Sequence, residues 1–349
     1  MSRQLGMDCI NLRKTARPGH TEYSIEYHAE LMRKVVMNAL GCGEMPPDGT
    51  RQFYNAWDFD FLWGTNDGYV DWSTTGRYTD LGHAEYAEGG VDRRPASVCP
   101  FKSEEEVWEF DPVKEYGVTP FDELVERYEE AHRNKLAYYP NQVCTGGCYM
   151  TIISGALQSF GWEMLLAAAA DEAKFAKVLE CFALRTKHHS AAWAKTSIEV
   201  YINHDDMVWS SGAFMSPAFY RNVIFPLYKE IWKPLKAAGK KILFCTDGNA
   251  MEFWEDLAEA GADGFIFEPM NDFEQMVKKF GGTHCLIGSA VDCRTMAMKP
   301  WDDVRREIDT TLKLIQDVPG ILLAVGNHIP ANVPDDICIK YMDHLKANW

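Results

Sequence analysis

From residue 199 onward the chain alternates short apolar runs with helical stretches five times, and no return strand interrupts the series. The apolar runs are Glu199–Ile202, Lys241–Phe244, Gly264–Phe267, Cys285–Ile287 and Ile321–Val325. Helical patterns follow each of them, over Ser216–Ala238, Ala250–Ala260, Asp272–Phe280, Pro300–Gln316 and Pro334–Leu345. Ser216 is an N-cap with Pro217 at the first helical position, and Gly239 closes that helix. Strands that are apolar almost throughout are buried on both faces, as in a parallel sheet covered by helices. Repeated βα units build either a doubly wound sheet or a closed barrel. The unit spacing and a length of 349 residues favour the barrel. The expectation is therefore an α/β protein, a single (β/α)₈ TIM barrel with N-terminal helical and loop elaborations.

The first half has less rhythm. A helix is expected over Thr21–Leu40, with Ile25, Leu31, Val35 and Val36 inward and Gly41 as its stop. Residues 42–100 are rich in Trp, Tyr, Asp and Gly, with strands expected near Gln52–Trp57 and Val91–Val98, and read as loops over one barrel end. Further helices are expected at Phe121–Leu136, Ile152–Ala169 and Asp171–Ala194, and a strand at Gln142-Val143. No linker or repeat divides the chain, so residues 1–349 are expected to form one domain, with 1–50 a helical extension packed on the barrel.

Charge excludes some partners. Asp and Glu number 51 against 35 Lys and Arg, a net charge of −16, which repels nucleic acid and anionic lipid surfaces. No apolar run reaches membrane-spanning length, and Met1–Gly6 lacks a signal-peptide core, so a cytoplasmic location is expected. There the ten cysteines are thiols or metal ligands rather than a disulfide framework. Glycine-rich dinucleotide and triphosphate motifs are absent.

In a (β/α)₈ barrel the chemistry lies at the C-terminal ends of the strands. In this chain those ends read His204-Asp205-Asp206, Cys245-Thr246-Asp247-Gly248-Asn249, Glu268-Pro269, Ser289-Ala290-Val291-Asp292 and Gly326-Asn327-His328. Cys245, Asp247, Glu268 and His328 form a sensible zinc set of thiolate, carboxylates and imidazole. Residues 245 and 247 point to the same side of the pleat, so both can reach one ion. The plainer alternative makes Cys245 a small buried hydrophobe, Asp247 a turn-former and Glu268 a partner of loop amides. His204 and Asp206 are the expected catalytic pair, for orienting substrate or moving a proton; a backbone-bonding role for Asp206 is the alternative. The aromatic stretch Trp57–Trp63, with Tyr69 and Trp72, either lines an apolar substrate pocket or packs a barrel end.

At these strand ends the sequence resembles the uroporphyrinogen decarboxylase superfamily over roughly residues 140–345. The resemblance is carried by Asp205-Asp206, Ser216-Pro217 with Tyr220 and Pro226, Asp247-Gly248-Asn249, Gly261-Ala262-Asp263-Gly264, Gly288 and Asn332-Val333-Pro334. It implies the (β/α)₈ barrel. True porphyrin decarboxylases carry an N-terminal arginine-rich motif of the Met-Arg-Gln-Ala-Gly-Arg type, which is missing here. The corrinoid-dependent methyltransferase branch is more similar. Its zinc is held by a His-x-Cys pair, a Glu about twenty residues later and a distant Cys. The matching positions are Cys245-x-Asp247, Glu268 and Asn327-His328, with the ligand types exchanged.

What the resemblance implies is a methyltransferase of a corrinoid-dependent demethylation system, an O-demethylase or its methylamine counterpart. Zinc is the implied Lewis acid, and fewer thiolates make it a harder one, suited to an oxygen or nitrogen ligand. Cobalamin would come from a partner corrinoid protein, because no Asp-x-His-x-x-Gly motif is present. Asn249, Asn327, Trp57 and Tyr220 are the residues expected to contact a small-molecule methyl donor. A homodimer is compatible with a barrel of this size. The alternatives are a metal-independent decarboxylase or lyase of a non-porphyrin acid, and a barrel that binds without catalysis.

Overall fold

A computed structural model describes residues 2–25, 28–65, 76–79, 98–149, 151–326, 328–329 and 332–349. Eight short strands follow one another around a ring. They are β1 (Gly19–His20), β2 (Phe61–Leu62), β3 (Val143–Cys144 continued by Gly146–Cys148) and β4 (Val200–His204). Then come β5 (Lys241–Thr246), β6 (Gly264–Phe267), β7 (Cys285–Ile287) and β8 (Ile321–Leu323). Every ladder is parallel, from β2 against β3 through to β8 against β1. The ring closes where the Asp60 N–H donates to the His20 carbonyl at 2.9 Å. This is the TIM-barrel-type α/β fold that the strand–helix rhythm predicts.

Alternation along each strand sorts the side chains. Val200 and Ile202, Leu243 and Cys245, Ile266, Cys285, Ile287 and Leu322 fill the barrel interior together with Phe61 and Val143. Tyr201, Phe244 and Phe265 face the surrounding helices. Tyr128 stacks on Trp193 at 4.0 Å in that outer layer, and Tyr228 stacks on Trp232 at 5.3 Å. Trp193, Trp232 and Tyr228 are fully buried, and truncating such a residue costs about 3–5 kcal/mol.

The N-terminal mouth is plugged by the helix Arg3–Ile10, whose Cys9 and Ile10 join the interior cluster. Ser2 caps that helix by accepting the Leu5 N–H at 2.9 Å. The opposite, C-terminal mouth is where the polar strand ends gather.

Three local expectations are corrected. The helix expected from Thr21 begins only at Ala29, because Gly19–His20 supplies the first barrel strand. The strand expected over Gln52–Trp57 is the helix Gly49–Ala56, whose Phe53 is buried on its inner face. Its aromatic residues satisfy a helical face as well as a pleat. The expected strand Val91–Val98 lies outside the described residues except for Val98, as do Tyr69 and Trp72. Among the described residues, no helix is long and apolar enough to cross a membrane.

Candidate active site

Parallel register decides which side chains meet at the C-terminal mouth. His204 pairs with Cys245 across β4 and β5. Period-two alternation then carries Ile202, His204 and Asp206 up one wall and Leu243, Cys245 and Asp247 up the next. The donor atoms of His204, Asp206 and Asp247 all lie within 4.8 Å of one another.

Asp206 is held from four sides. Its Oδ1 lies 3.1 Å from Nε2 of His204 and accepts the Asp247 N–H at 3.0 Å. Its Oδ2 accepts the Tyr149 hydroxyl at 2.8 Å, and its own N–H donates to Ser154 Oγ at 2.8 Å. Tyr149 packs edge-on to the His204 ring, with centroids 4.3 Å apart.

The neighbouring Asp205 points the other way, beneath the helix Ile153–Ala169. It accepts the N–H groups of Ile152, Ile153 and Ser154 at 3.0, 3.1 and 2.6 Å and the Tyr228 hydroxyl at 2.7 Å. Two adjacent aspartates thus split into a structural residue and a site residue.

Electrostatics follow from this crowding. Burial opposes a charge on His204, but Cys245 and Asp206 outweigh it and hold the imidazole well above its usual range. Burial would raise Asp206 as well, yet the His204 charge and hydrogen bond pull it below the ordinary carboxylate value. Asp247 is open to water at the mouth, but the enclosing wall and then the Asp206 and Glu268 charges push its carboxyl well up. Burial pushes the Cys245 thiol up to about 11 against the pull of His204. The Tyr149 hydroxyl is raised by burial and by Asp206, so it keeps its proton.

The turn after β5 sets the direction of Asp247. Gly248 has φ +81°, and a Cβ there would sit 2.7 Å from the Val208 and Trp209 carbonyl oxygens. Its N–H donates to Glu268 Oε2 at 2.6 Å. Asn271 fastens the same loops by accepting from Ala250 N and donating to the Gly248 and Glu268 carbonyls.

The remaining sequence-expected residues are distributed as follows. Cys245 lies directly below Asp247, buried beside His204. Glu268 borders Asp247 from β6 and braces the Gly248 turn. His328 is buried beyond β8 next to His28, with its imidazole lowered by that burial. The three-residue cluster thus takes Asp247 from the expected metal set and both residues of the expected catalytic pair. Asn249 accepts the Met251 N–H at 3.1 Å within its own turn. Tyr220 is fully buried, stacked on Phe253 and donating to the Met207 carbonyl at 2.6 Å. Trp57 is buried against Phe53 ahead of β2, at the N-terminal end of the barrel. Asn327 lies outside the described residues.

Sequence reasoning missed Tyr149 and Tyr23. The signal available was period two: Val143 faces the interior, so 149 falls on the same side once β3 is extended. Tyr23, beyond β1, meets Trp63, beyond β2, with ring centroids 4.8 Å apart.

The uroporphyrinogen decarboxylase (URO-D) family model matches residues 150–347. No curated protein sequence matches significantly. Among solved structures, a methyltransferase from Methanosarcina mazei aligns over 99% of this chain and 97% of that chain, at 15% identity and a TM-score of 0.60. A B12-independent methionine synthase from a Shewanella species aligns over 64% of this chain and 65% of that chain, at 11% identity and a TM-score of 0.42. The first likeness establishes the fold, and the second is too weak to carry an argument.

Proposed function

The chain belongs to the uroporphyrinogen decarboxylase family, and within it we propose a methyltransferase of a corrinoid-dependent demethylation system. The methyl group moves between a methoxy or methylamine-type donor and a corrinoid carried by a separate protein at the C-terminal barrel mouth. The observation that carries this reading is the His204–Asp206–Asp247 cluster at the ends of β4 and β5.

The donor set fits a divalent ion. One imidazole and two carboxylates are hard, mixed N/O ligands. Their mutual separation is close to what one small ion spans. Two like charges held this near each other gain from a dication between them. His204, Asp206 and Asp247 would hold zinc, with the Cys245 thiol next in reach below. When bound, zinc would supply Lewis-acid polarisation of the heteroatom that carries the methyl group.

The protein's own groups do the rest. Tyr149 keeps its proton and donates a hydrogen bond to Asp206, which fixes the carboxylate against His204. Glu268 braces the Gly248 turn, and that turn aims Asp247 inward. Tyr149 packs edge-on against His204, and Tyr23 meets Trp63 beyond β1 and β2. Glu268, from the set expected by sequence, supports the cluster through that turn, whereas His328 is buried next to His28 and outside the three-residue cluster.

A second reading draws on the same His204. A charged imidazole at the mouth, backed by Asp206, would hold the carboxylate of a non-porphyrin acid for metal-free decarboxylation. Metal analysis of purified, zinc-supplemented protein separates the two. Methyl transfer predicts about one zinc per chain, lost on Asp247→Ala; less than about 0.2 per chain defeats it.

A further inference from the structure

The ladder between β3 and β4 ends where Cys148 faces Asn203, just short of His204. Beyond that point the β4 chain has lost its neighbouring strand on the β3 side, so its backbone groups there need other partners. Two hydroxyls supply them. Thr151 Oγ1 donates to the His204 carbonyl at 3.2 Å, and Ser154 Oγ accepts the Asp206 N–H at 2.8 Å. Thr151 and Ser154 are both fully buried. Both come from the segment that leads from β3 into the helix Ile153–Ala169.

That segment is fastened in turn by the residue between His204 and Asp206. Asp205 accepts the N–H groups of Ile152, Ile153 and Ser154. The bonds form a closed circuit: Asp205 fixes the segment, and the segment fixes the residues on either side of Asp205. Ser154 belongs to both halves, with its N–H on Asp205 Oδ1 at 2.6 Å and its hydroxyl on the Asp206 N–H. Tyr149, at the start of the segment, donates to Asp206 Oδ2. Asp206 is thus held by backbone and by side chain from one short stretch of chain, which sets its direction as well as its place. Asp205 alone satisfies the first N–H groups of the helix, so the Ser154 hydroxyl serves Asp206 and not the helix.

We propose that Ser154 is a positioning residue of the site, aiming the Asp206 carboxylate at the point it shares with His204 and Asp247, while Thr151 steadies His204 in the same way. This rests on the reading of that cluster as a metal centre and adds to it the residues that set its geometry. A ligand whose backbone can turn samples more orientations, and an ion must then order it on binding. Removing a support of this kind weakens metal binding by about 10- to 100-fold.

Zinc affinity of the intact protein, measured by competition with a chromophoric chelator, separates positioning from general loosening. Ser154→Ala should bind zinc about tenfold or more weakly than wild type, and Ser154→Thr, which keeps the hydroxyl, should stay within about threefold. Ile153→Val trims the same turn but leaves all of these bonds in place, and should change the affinity by less than about twofold. Wild-type affinity in Ser154→Ala overturns the proposal, as does an equal loss in Ile153→Val. If Ser154→Ala does not fold, Thr151→Val carries the test: a loss of about threefold or more is expected, and no loss overturns the proposal. Amide exchange at Asp206 in metal-free protein, followed by NMR, keeps failure of the metal reading distinct. That N–H should exchange about tenfold faster in Ser154→Ala than in wild type. Protein that binds no zinc yet shows this acceleration contradicts the metal centre and leaves the role of Ser154 standing. Zinc binding with equal exchange rates and equal affinities does the reverse.

Discussion

Nε2 of His204, the last residue of the fourth strand, lies 3.1 Å from Oδ1 of Asp206, two residues beyond it. Each keeps the other charged, since burial alone would discharge both. Replacing Asp206 with Asn preserves the shape and removes that support. The His204 imidazole should then titrate at a distinctly lower pH by NMR, and methyl transfer should fall by about 10- to 100-fold. An unchanged imidazole titration would mean that Cys245 alone sustains the charge.

Asp205 and Asp206 should respond oppositely to truncation. Asp205→Ala strands three buried N–H groups and the Tyr228 hydroxyl. At about 1–3 kcal/mol for each unsatisfied group, partly relieved by water, a loss of about 3 kcal/mol or more is expected in urea unfolding. Asp206→Ala also strands the buried Tyr149 hydroxyl, but lies nearer solvent than Asp205, so it should cost less than Asp205→Ala while abolishing activity.

Gly248→Ala combines a left-handed backbone with a Cβ 2.7 Å from two carbonyl oxygens. The expected cost is about 1–3 kcal/mol, with metal affinity lowered as well because Asp247 precedes the turn. A variant with wild-type stability would show that the turn relaxes freely.

His189 gives the protein an acid-sensitive point away from the site. Burial first, then the charges of Arg185 and His188, lower its pKa to about 3, and its Nδ1 lies 2.7 Å from the Tyr128 hydroxyl. The folded value lies below the ordinary 6.5, so the unfolded chain takes up the proton first as pH falls. The stabilising contribution is complete above about pH 6.5 and is lost progressively towards pH 3. His189→Gln should flatten that acid limb of the melting temperature by several degrees. Parallel acid limbs for the two proteins would remove His189 from the account.

Much of the barrel was legible because strands β4 to β8 are apolar and each is followed by a helix with its own stop signal. Cys285–Ile287 coincides with its apolar run, and Ile321–Leu323 is the first part of the expected run Ile321–Val325. The first strands were not legible for a physical reason. Gly19–His20 and Phe61–Leu62 are two residues long, too short to display any period, and their pairing partners are remote in sequence. At the site, the alternation that joined Cys245 to Asp247 applied equally to His204 and Asp206. What sequence could not supply was the register between β4 and β5, which sets His204 against Cys245. It therefore could not tell that His204, Asp206 and Asp247 share one point. Tyr220 and Trp57 looked like substrate contacts because aromatic side chains serve cores and pockets alike.

The central claim is that His204, Asp206 and Asp247 act on a methyl group as one metal-assisted unit. The most direct measurement follows a cobalt(I) corrinoid protein by absorbance as it becomes methyl-cobalt(III) in the presence of methylated donors. Zinc-loaded wild-type protein is predicted to drive that conversion, and both zinc-stripped protein and Asp247→Asn should slow it by about 100-fold or more. Methylation of cobalt at the wild-type rate by the stripped protein and by Asp247→Asn would contradict the account.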